Sequence, residues 1–429
     1  MSEKTYQSAR GVRDILPSEQ KYWQNFRFVA EKVLQSIGIE RIDLPHFENV
    51  EIFDRGIGAG SDIVQKGIYY LESRDEVDNA KYALRPEFTA GAARSYIQNG
   101  MSSWPQPVKL YYIGAAFRRE RPQKGRFREF YQLGVEIFGD ESAKSDYLSI
   151  MAAWEILKKI GLKDIIIYTN SIGCPKCRPK YLARLKKFYK DKLGNLCSDC
   201  LVRYEKNTLR ILDCKEEKCQ KTSNSAPVIL DALCAECKTH FQNTLEYLDY
   251  FEIRYDLDPK LVRGLDYYSK TVFEICQIAD KSRQGSLGGG GRYDGLVELL
   301  GGQKTPAVGF SLGVDRVVAA MKEQNVPVSE GRGVEASILQ LGEKAKNASK
   351  KVFDLLSKED INVYFVPSSD TLRSQMRQAA KIGARFAVII GQKEALKEEI
   401  ILRDLKASAQ ELIPLKGVGE EIKRRLASN

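Results

Sequence analysis

The sequence predicts an α+β protein: a β-rich body flanked by helices, interrupted by a helical, cysteine-rich insertion and followed by a small α/β domain. Three features predict it. Two β-prone runs, VKLYYIGAAFRRE from Val108 and FREFYQLGVEIFG after it, are joined by the charged RPQKGR and read as a long antiparallel hairpin. Eight of the nine cysteines crowd between Ser171 and Tyr250, among lysines and helical stretches. From about Ala336 strand and helix alternate, which implies a small, mainly parallel sheet. At roughly 100–200 residues per domain, a chain of 429 residues has room for these parts.

The elements follow in order. Apolar residues at Trp23, Phe26, Val29, Val33 and Ile37 recur at three-to-four spacing, an amphipathic helix that Gly38 ends. GIERIDLPHFEN alternates like a strand until Pro45. After the hairpin, AKSDYLSIMAAWEILKKI predicts a helix from Ala143 to Ile160, closed by Gly161. The β character returns at Phe251 and runs through VRGLDYYSKTVFEICQI, a glycine-rich turn and TPAVGFSLGVDRVVAAM. The expected division is therefore a body over residues 1–330, its insertion at about 171–250, and a last domain over 336–429.

Composition narrows the function. Charged residues at 29% and hydrophobic ones at 43% describe an ordinary globular chain. No apolar run approaches the roughly 18 residues that span a bilayer, and the first twenty residues hold no apolar stretch, so a cytoplasmic chain that is neither exported nor membrane-inserted is expected. The net charge of +10 suits a polyanionic partner. Residues 331–429 carry 18 Lys+Arg against 13 Asp+Glu, and residues 171–250 carry 15 against 10, so the excess lies outside the body. GIGAGSD and SLGGGGRYDG lack the strand, helix and lysine-serine context of nucleotide loops, and they read instead as tight turns or backbone packed closely against a ligand. His46 and His240, with no Ser or Cys motif beside them, read as structural.

Chemistry must then run on arginines, carboxylates and bound metal. Phe117–Arg128 holds Arg118, Arg119, Arg121, Lys124, Arg126 and Arg128 against one acid, Glu120, a cluster that repels itself unless phosphates neutralise it. Arg118 and Glu120 share a strand face. Arg263 in RGLDYY is an isolated arginine beside two tyrosines, and Arg316 in GFSLGVDRV follows glycines at a strand-to-helix boundary; a buried arginine with no adjacent acid needs a ligand anion or a distant carboxylate. Together with Arg118 they suit a clamp for charge developing on a transferred phosphate. Glu87, Glu120 and Glu136 are candidates for a substrate ammonium or a divalent cation.

At these residues the chain resembles the histidyl-tRNA synthetases, a family of class II aminoacyl-tRNA synthetases. The first helix with GIERIDLPHFEN is similar to the class's first motif, whose proline, here Pro45, builds a dimer interface; FRRERPQKGRFREFYQLGVEIF is similar to the second and GFSLGVDRV to the third. LVRGLDYYSKTVFE and GGRYDGL resemble the peptides of histidine-specific members, and RGVRDILP and RPEFTAG agree. The likeness runs nearly the whole chain, including the last domain, which resembles an anticodon-binding domain. Asp315 and Phe88 stand where the family often has Glu and Gly.

The resemblance implies an antiparallel sheet flanked by helices and a homodimer that charges tRNA(His) with L-histidine, using ATP with Mg²⁺. Glu87, Thr89 and Gln132 would hold the α-ammonium, and Glu136 with Tyr268, lined by Tyr267 and Tyr293, the imidazole. Arg118 would grip the α-phosphate and the substrate carboxylate, Arg263 the charge on pentavalent phosphorus, Arg316 the γ-phosphate, and Glu120 the adenine side. Gln123 suits the acceptor end of tRNA, and Arg373 and Arg377, with Gln375 between them, the anticodon. Two other readings stay open: a non-catalytic, synthetase-like regulatory subunit of ATP phosphoribosyltransferase, and a zinc-dependent RNA-binding module.

The cysteines stand apart from the resemblance. CPKC (Cys174, Cys177), CSDC (Cys197, Cys200), CKEEKC (Cys214, Cys219) and CAEC (Cys234, Cys237) are four close pairs, three of them at knuckle spacing, which predicts one or two structural Zn²⁺ ions. Spacing leaves open which pairs combine. Cys276, in a β run, reads as core.

Overall fold

A computed structural model describes residues 6–427, apart from 59–63, 65–66, 73–80, 120–125, 266, 279–285, 330–332 and 366–370. The chain divides into two compact units, Met1–Val328 and Ser329–Asn429. Among the described residues no helix is long and apolar enough to cross a membrane.

The first unit is built on an eight-stranded sheet. Its strands run, edge to edge, Glu40–Arg41, Val108–Phe117, Glu129–Phe138, Ala307–Gly313, Gly288–Arg292, Ser269–Gln277, Ile165–Ser171 and Tyr255–Leu257. The interior pairs are antiparallel and each edge strand is parallel to its neighbour. The hairpin reading holds over ten paired residues, Val108–Phe117 against Glu129–Phe138.

Alternation along these strands makes two faces. Leu133, Val135 and Ile137 point to one, where they pack on the helices Gln20–Ser36, Ala143–Ile160 and Val314–Glu323. Tyr112 and Phe138 belong to the other, with Phe88, Tyr293 and insertion residues Tyr181, Leu185 and Tyr189. The first helix buries Trp23, Phe26, Ala30, Val33 and Leu34, and Gly38 leaves it at φ +67°. Gly161 ends the helix Ala143–Ile160 in the left-handed region, at φ +100°.

The glycine run is no turn. Gly288–Arg292 is a strand inside the sheet, where a Cβ on Gly288 would lie 2.3 Å from the Ser311 carbonyl and one on Gly290 2.0 Å from the Gly309 carbonyl. The sheet closes tightly there because side chains are missing.

Between Ser171 and Tyr255 the chain leaves the sheet for short helices, among them Arg178–Lys190, Ser198–Lys206 and Ala235–Tyr250. His240, on the last of these, meets buried Asp146 at 3.1 Å. Asp146 also takes two hydrogen bonds from Arg292, which is wholly buried. Burial alone would raise the Asp146 carboxyl, but the Arg292 charge holds it below its usual range. This histidine is a structural brace.

The second unit carries a five-stranded sheet, ordered Val363–Phe365, Ala336–Gln340, Phe386–Ile390, Glu399–Asp404 and Gln410–Pro414. The first three are parallel, as the strand–helix alternation implies; the last two are antiparallel. This corrects the mainly parallel expectation. Ile400, Leu402 and Asp404 do alternate inward, but apolar Ile401 between the first two and the charge on the third blur the pattern.

Candidate active site

A cavity of about 410 Å³ opens on the insertion side of the sheet. Its wall includes Arg118, Arg263 and Arg316, three cations from three distant segments, with Glu87, Thr89, Gln132, Glu136, Tyr267, Tyr268 and Tyr293. Arg118 lies at the end of its strand, Arg316 in the first turn of the helix Val314–Glu323, and Thr89 at the start of the helix Thr89–Gln98. Glu120 and Gln123 lie outside the described residues.

Glu136 is the floor. Its Oε1 accepts hydrogen bonds from Thr89 Oγ1 at 2.8 Å and from Tyr112 Oη at 2.9 Å, and its Oε2 accepts one from Tyr293 Oη. With 1% of its surface exposed, burial pushes its pKa up to about 8 against these three donors. Room for it comes from Gly309, the cross-strand partner, where a Cβ would stand 2.0 Å from Oε2. Gly134 makes the matching space for Tyr112, whose hydroxyl would meet a Cβ at 2.2 Å.

Glu87 accepts from the Thr89 and Ala90 amides at 2.6 and 3.0 Å, the first turn of its helix. Burial raises its pKa despite those donors. Tyr267, Tyr268 and Tyr293 form an aromatic wall with ring centroids 4.7–6.5 Å apart. The Tyr267 hydroxyl is buried with no hydrogen-bond partner among the described residues, and Tyr267 lines the cavity.

The arginines differ in their restraint. Arg118 donates to the Pro86 carbonyl at 2.8 Å and lies over the Phe130 ring. Arg316 donates to the Ser286 carbonyl at 2.6 Å. Arg263 faces Glu274 at 3.6 Å, an acid eleven residues on that its own segment does not reveal. Burial works against its charge, but Tyr268, Glu274 and Asp213 outweigh it and hold the pKa above its usual value.

The neighbouring motif residues are braces. Arg85 is buried and donates to the carbonyls of Ala115, Leu44 and Pro45 at 2.6–2.9 Å, while its guanidinium lies 3.9 Å from the Phe88 ring centroid. Asp315 accepts from the Tyr131 amide at 2.8 Å and from Arg13, joining the RGVRDILP segment to the third motif.

Two family models match the chain: "Histidyl-tRNA synthetase" over residues 11–317 and "Anticodon binding domain" over 326–425. A Histidine--tRNA ligase of Dehalococcoides mccartyi is 42% identical over 421 residues, covering 98% of this chain and 100% of that one. The chain belongs to the histidyl-tRNA synthetase family. A second relative of that name, from Desulforamulus reducens, is 42% identical over 416 residues, covering 97% and 98%. The crystal structure of apo S. aureus histidyl-tRNA synthetase aligns with a TM-score of 0.80 at 31% identity, over 98% of this chain and 100% of that one.

Against this family frame, sequence reading passed over Tyr112, Glu274, Asp213 and Gly309. Tyr112 shares the run LYYIG with Tyr111, and only the pleat sends one ring to the cavity side and the other to the helix side. In the second unit, Arg373 and Arg377 are exposed on the helix Leu372–Lys381, whereas Gln375 is turned inward and exchanges hydrogen bonds with the Gln340 backbone at 2.8 and 2.9 Å. That removes Gln375 from the surface available to a partner.

The insertion's cysteines sort into two sets of four. Cys174, Cys177, Cys234 and Cys237 form one; Cys197, Cys200, Cys214 and Cys219 form the other, and in each all sulfurs lie within 4.8 Å. Sulfur–sulfur separations of 3.7, 3.9 and 3.8 Å recur in the first set and 3.7 Å in the second. None of these cysteines is in a disulfide.

Proposed function

We propose that this chain ligates L-histidine to tRNA(His) through a histidyl-adenylate. The observation that carries the reading is the convergence of Arg118, Arg263 and Arg316 with Glu136 and its phenols on one cavity. The histidine carboxylate attacks the α-phosphorus of ATP and pyrophosphate leaves; the 3′-terminal hydroxyl of tRNA then attacks the acyl carbon and AMP leaves. Arg118 holds the α-phosphate and the carboxylate, Arg263 neutralises the pentavalent phosphorus, and Arg316 takes the γ-phosphate, with Glu120 toward adenine. Mg²⁺ bound with ATP screens the phosphates, and Glu274 and Asp213, on the cavity wall beside Arg263, are the oxygen donors that would hold it.

Glu87, Thr89 and Gln132 bind the α-ammonium. Glu136, with Tyr267, Tyr268 and Tyr293, reads the imidazole, since a ring with two polar edges satisfies both an acceptor and a phenol. Gln123 meets the acceptor end, and Arg373 and Arg377 face the anticodon.

A homodimer built through the first motif fits the exposed Phe47, Tyr70 and Leu71 on and beside the small sheet that follows Pro45. The reading carries with it a cytoplasmic place of action, where tRNA is charged. In the insertion we propose two structural zinc ions, one per sulfur set. Zn–S bonds of about 2.3 Å in a tetrahedron require sulfurs about 3.8 Å apart, which matches the separations above.

The regulatory-subunit reading is less supported, because the arginines and the anticodon-binding domain are both present. A bare RNA-binding module leaves the buried carboxylates without a task. ATP–pyrophosphate exchange, assayed with each of the twenty amino acids, is expected to respond to histidine alone. Exchange with none of them, or with another amino acid, sinks the assignment.

A further inference from the structure

Residues 261–265, 267 and 268 include Arg263, Tyr267 and Tyr268, and they lie between two spaces. Val262, Arg263, Leu265 and Tyr268 border the 410 Å³ cavity and also a second cavity of about 390 Å³ toward the insertion. Leu261, Val262 and Tyr268 are buried against the core, and main-chain tethers fix these residues between the two spaces as well. Two tethers come from the insertion, and both are arginines donating to main-chain carbonyls. Arg178 Nη2 donates to the Tyr268 carbonyl and Arg210 Nη1 to the Gly264 carbonyl, the latter at 2.9 Å.

Each arginine sits close in sequence to one sulfur set. Arg178 follows Cys177 directly and also donates to the Ile172 and Gly173 carbonyls at 3.3 Å, the turn that enters Cys174. Gly173 has φ +69°, and a Cβ there would stand 2.7 Å from Cys177 Sγ, so this turn is shaped around the sulfur. Arg210 sits in the turn Thr208–Ile211, whose last carbonyl accepts from the Cys214 amide at 3.1 Å. Leu212 and Asp213, between that turn and Cys214, line the active cavity themselves.

We infer that the two four-cysteine centres are staples that position the residues around Arg263 and Tyr268, one through Arg178 at Tyr268 and the other through Arg210 at Gly264. The inference rests on the zinc reading above. Arg178 and Arg210 are positioning residues: neither reaches a reacting atom. Metal in the first centre sets the pocket around Tyr268 and so the affinity for histidine. Metal in the second sets the guanidinium of Arg263 and so the rate of adenylate formation.

The test uses the full chain, expressed metal-replete, as wild type, Arg210→Ala and Arg210→Lys. Zinc per chain is measured together with kcat and KM for histidine in ATP–pyrophosphate exchange, before and after chelation. Cobalt exchange adds a readout independent of activity, a thiolate-to-cobalt absorption band. About two zinc ions per chain are expected in all three proteins. Arg210→Ala should lower kcat about tenfold or more, with the histidine KM changed far less, because one charge-assisted hydrogen bond to the loop is gone.

Arg210→Lys should recover part of the loss, since an ammonium still donates to a carbonyl. Chelation should depress the wild-type kcat and add little to the kcat loss of Arg210→Ala, while raising the histidine KM of both through loss of metal from the first centre. Under half an equivalent of zinc overturns the zinc reading and the staples with it. Two zinc ions with wild-type kcat in Arg210→Ala overturn the staples and leave the zinc standing. Should Arg210→Ala lose its zinc or its fold, Arg210→Lys carries the test, and an unchanged kcat there overturns the inference.

Discussion

Replacing Arg263 by alanine lowers histidine-dependent ATP–pyrophosphate exchange by about 10²–10³-fold in kcat, while tRNA binding to the full chain stays at the wild-type level. The guanidinium lines the cavity, and among the described residues its Nε is buried without an acceptor and the acid within 4 Å is Glu274, at 3.6 Å. It is therefore free to strengthen its interaction as charge builds on phosphorus, which is the condition for acting on the rate rather than on binding. The chain's excess positive charge lies in residues 171–250 and 331–429, so loss of this cation leaves the polyanion surface in place. Single-turnover exchange and a filter-binding assay on the same preparation separate the two. Equal losses in both, or none in exchange, would remove Arg263 from the chemistry.

Glu136→Gln raises the histidine KM by about 10²–10³-fold and leaves the ATP KM near wild type. Glutamine keeps the shape, but three hydroxyl groups, on Thr89, Tyr112 and Tyr293, then converge on an amide that can accept at only one of its two polar atoms. The same variant has a signature in stability. Glu136 has a folded pKa of about 8 against an ordinary 4.5, so the folded chain holds this proton more tightly than the unfolded one. Its contribution to stability is complete below about pH 4.5 and is lost as pH rises toward about 8. The stability difference between histidine-free wild type and Glu136→Gln should therefore shrink, by on the order of 3 kcal/mol, between about pH 5 and about pH 8. Denaturant titrations at several pH values measure it, and a difference that stays flat would mean the carboxylate is already ionised in the empty pocket.

Much of the architecture was legible because it is local. The helix Ala143–Ile160 begins and ends where its apolar period and Gly161 say, and the hairpin strands show in two β-prone runs. Reading failed where a neighbour decides the outcome. SLGGGGRYDG looks like a turn by composition, but Ser311 and Gly309 press on it from the next strand and make it a strand without side chains. Gln375 looks like a polar surface residue between two arginines, until Gln340 offers it both a donor and an acceptor inside the unit. Arg263 looks unpaired until the strand Ser269–Gln277 brings Glu274 beside it.

The residue types by themselves determined the kind of chemistry on offer: cations for phosphates, acids and phenols for a small polar ring, thiols in knuckle pairs for a metal. They also determined the period of each helix and strand, since both depend only on neighbours a few positions away. Which thiols share a centre, which tyrosine of a pair turns toward the cavity, and that guanidinium groups more than fifty residues apart face one hollow were decided by sheet register and by the way the insertion folds back. Those are contacts between segments far apart in the chain, and no local pattern encodes the distance between them.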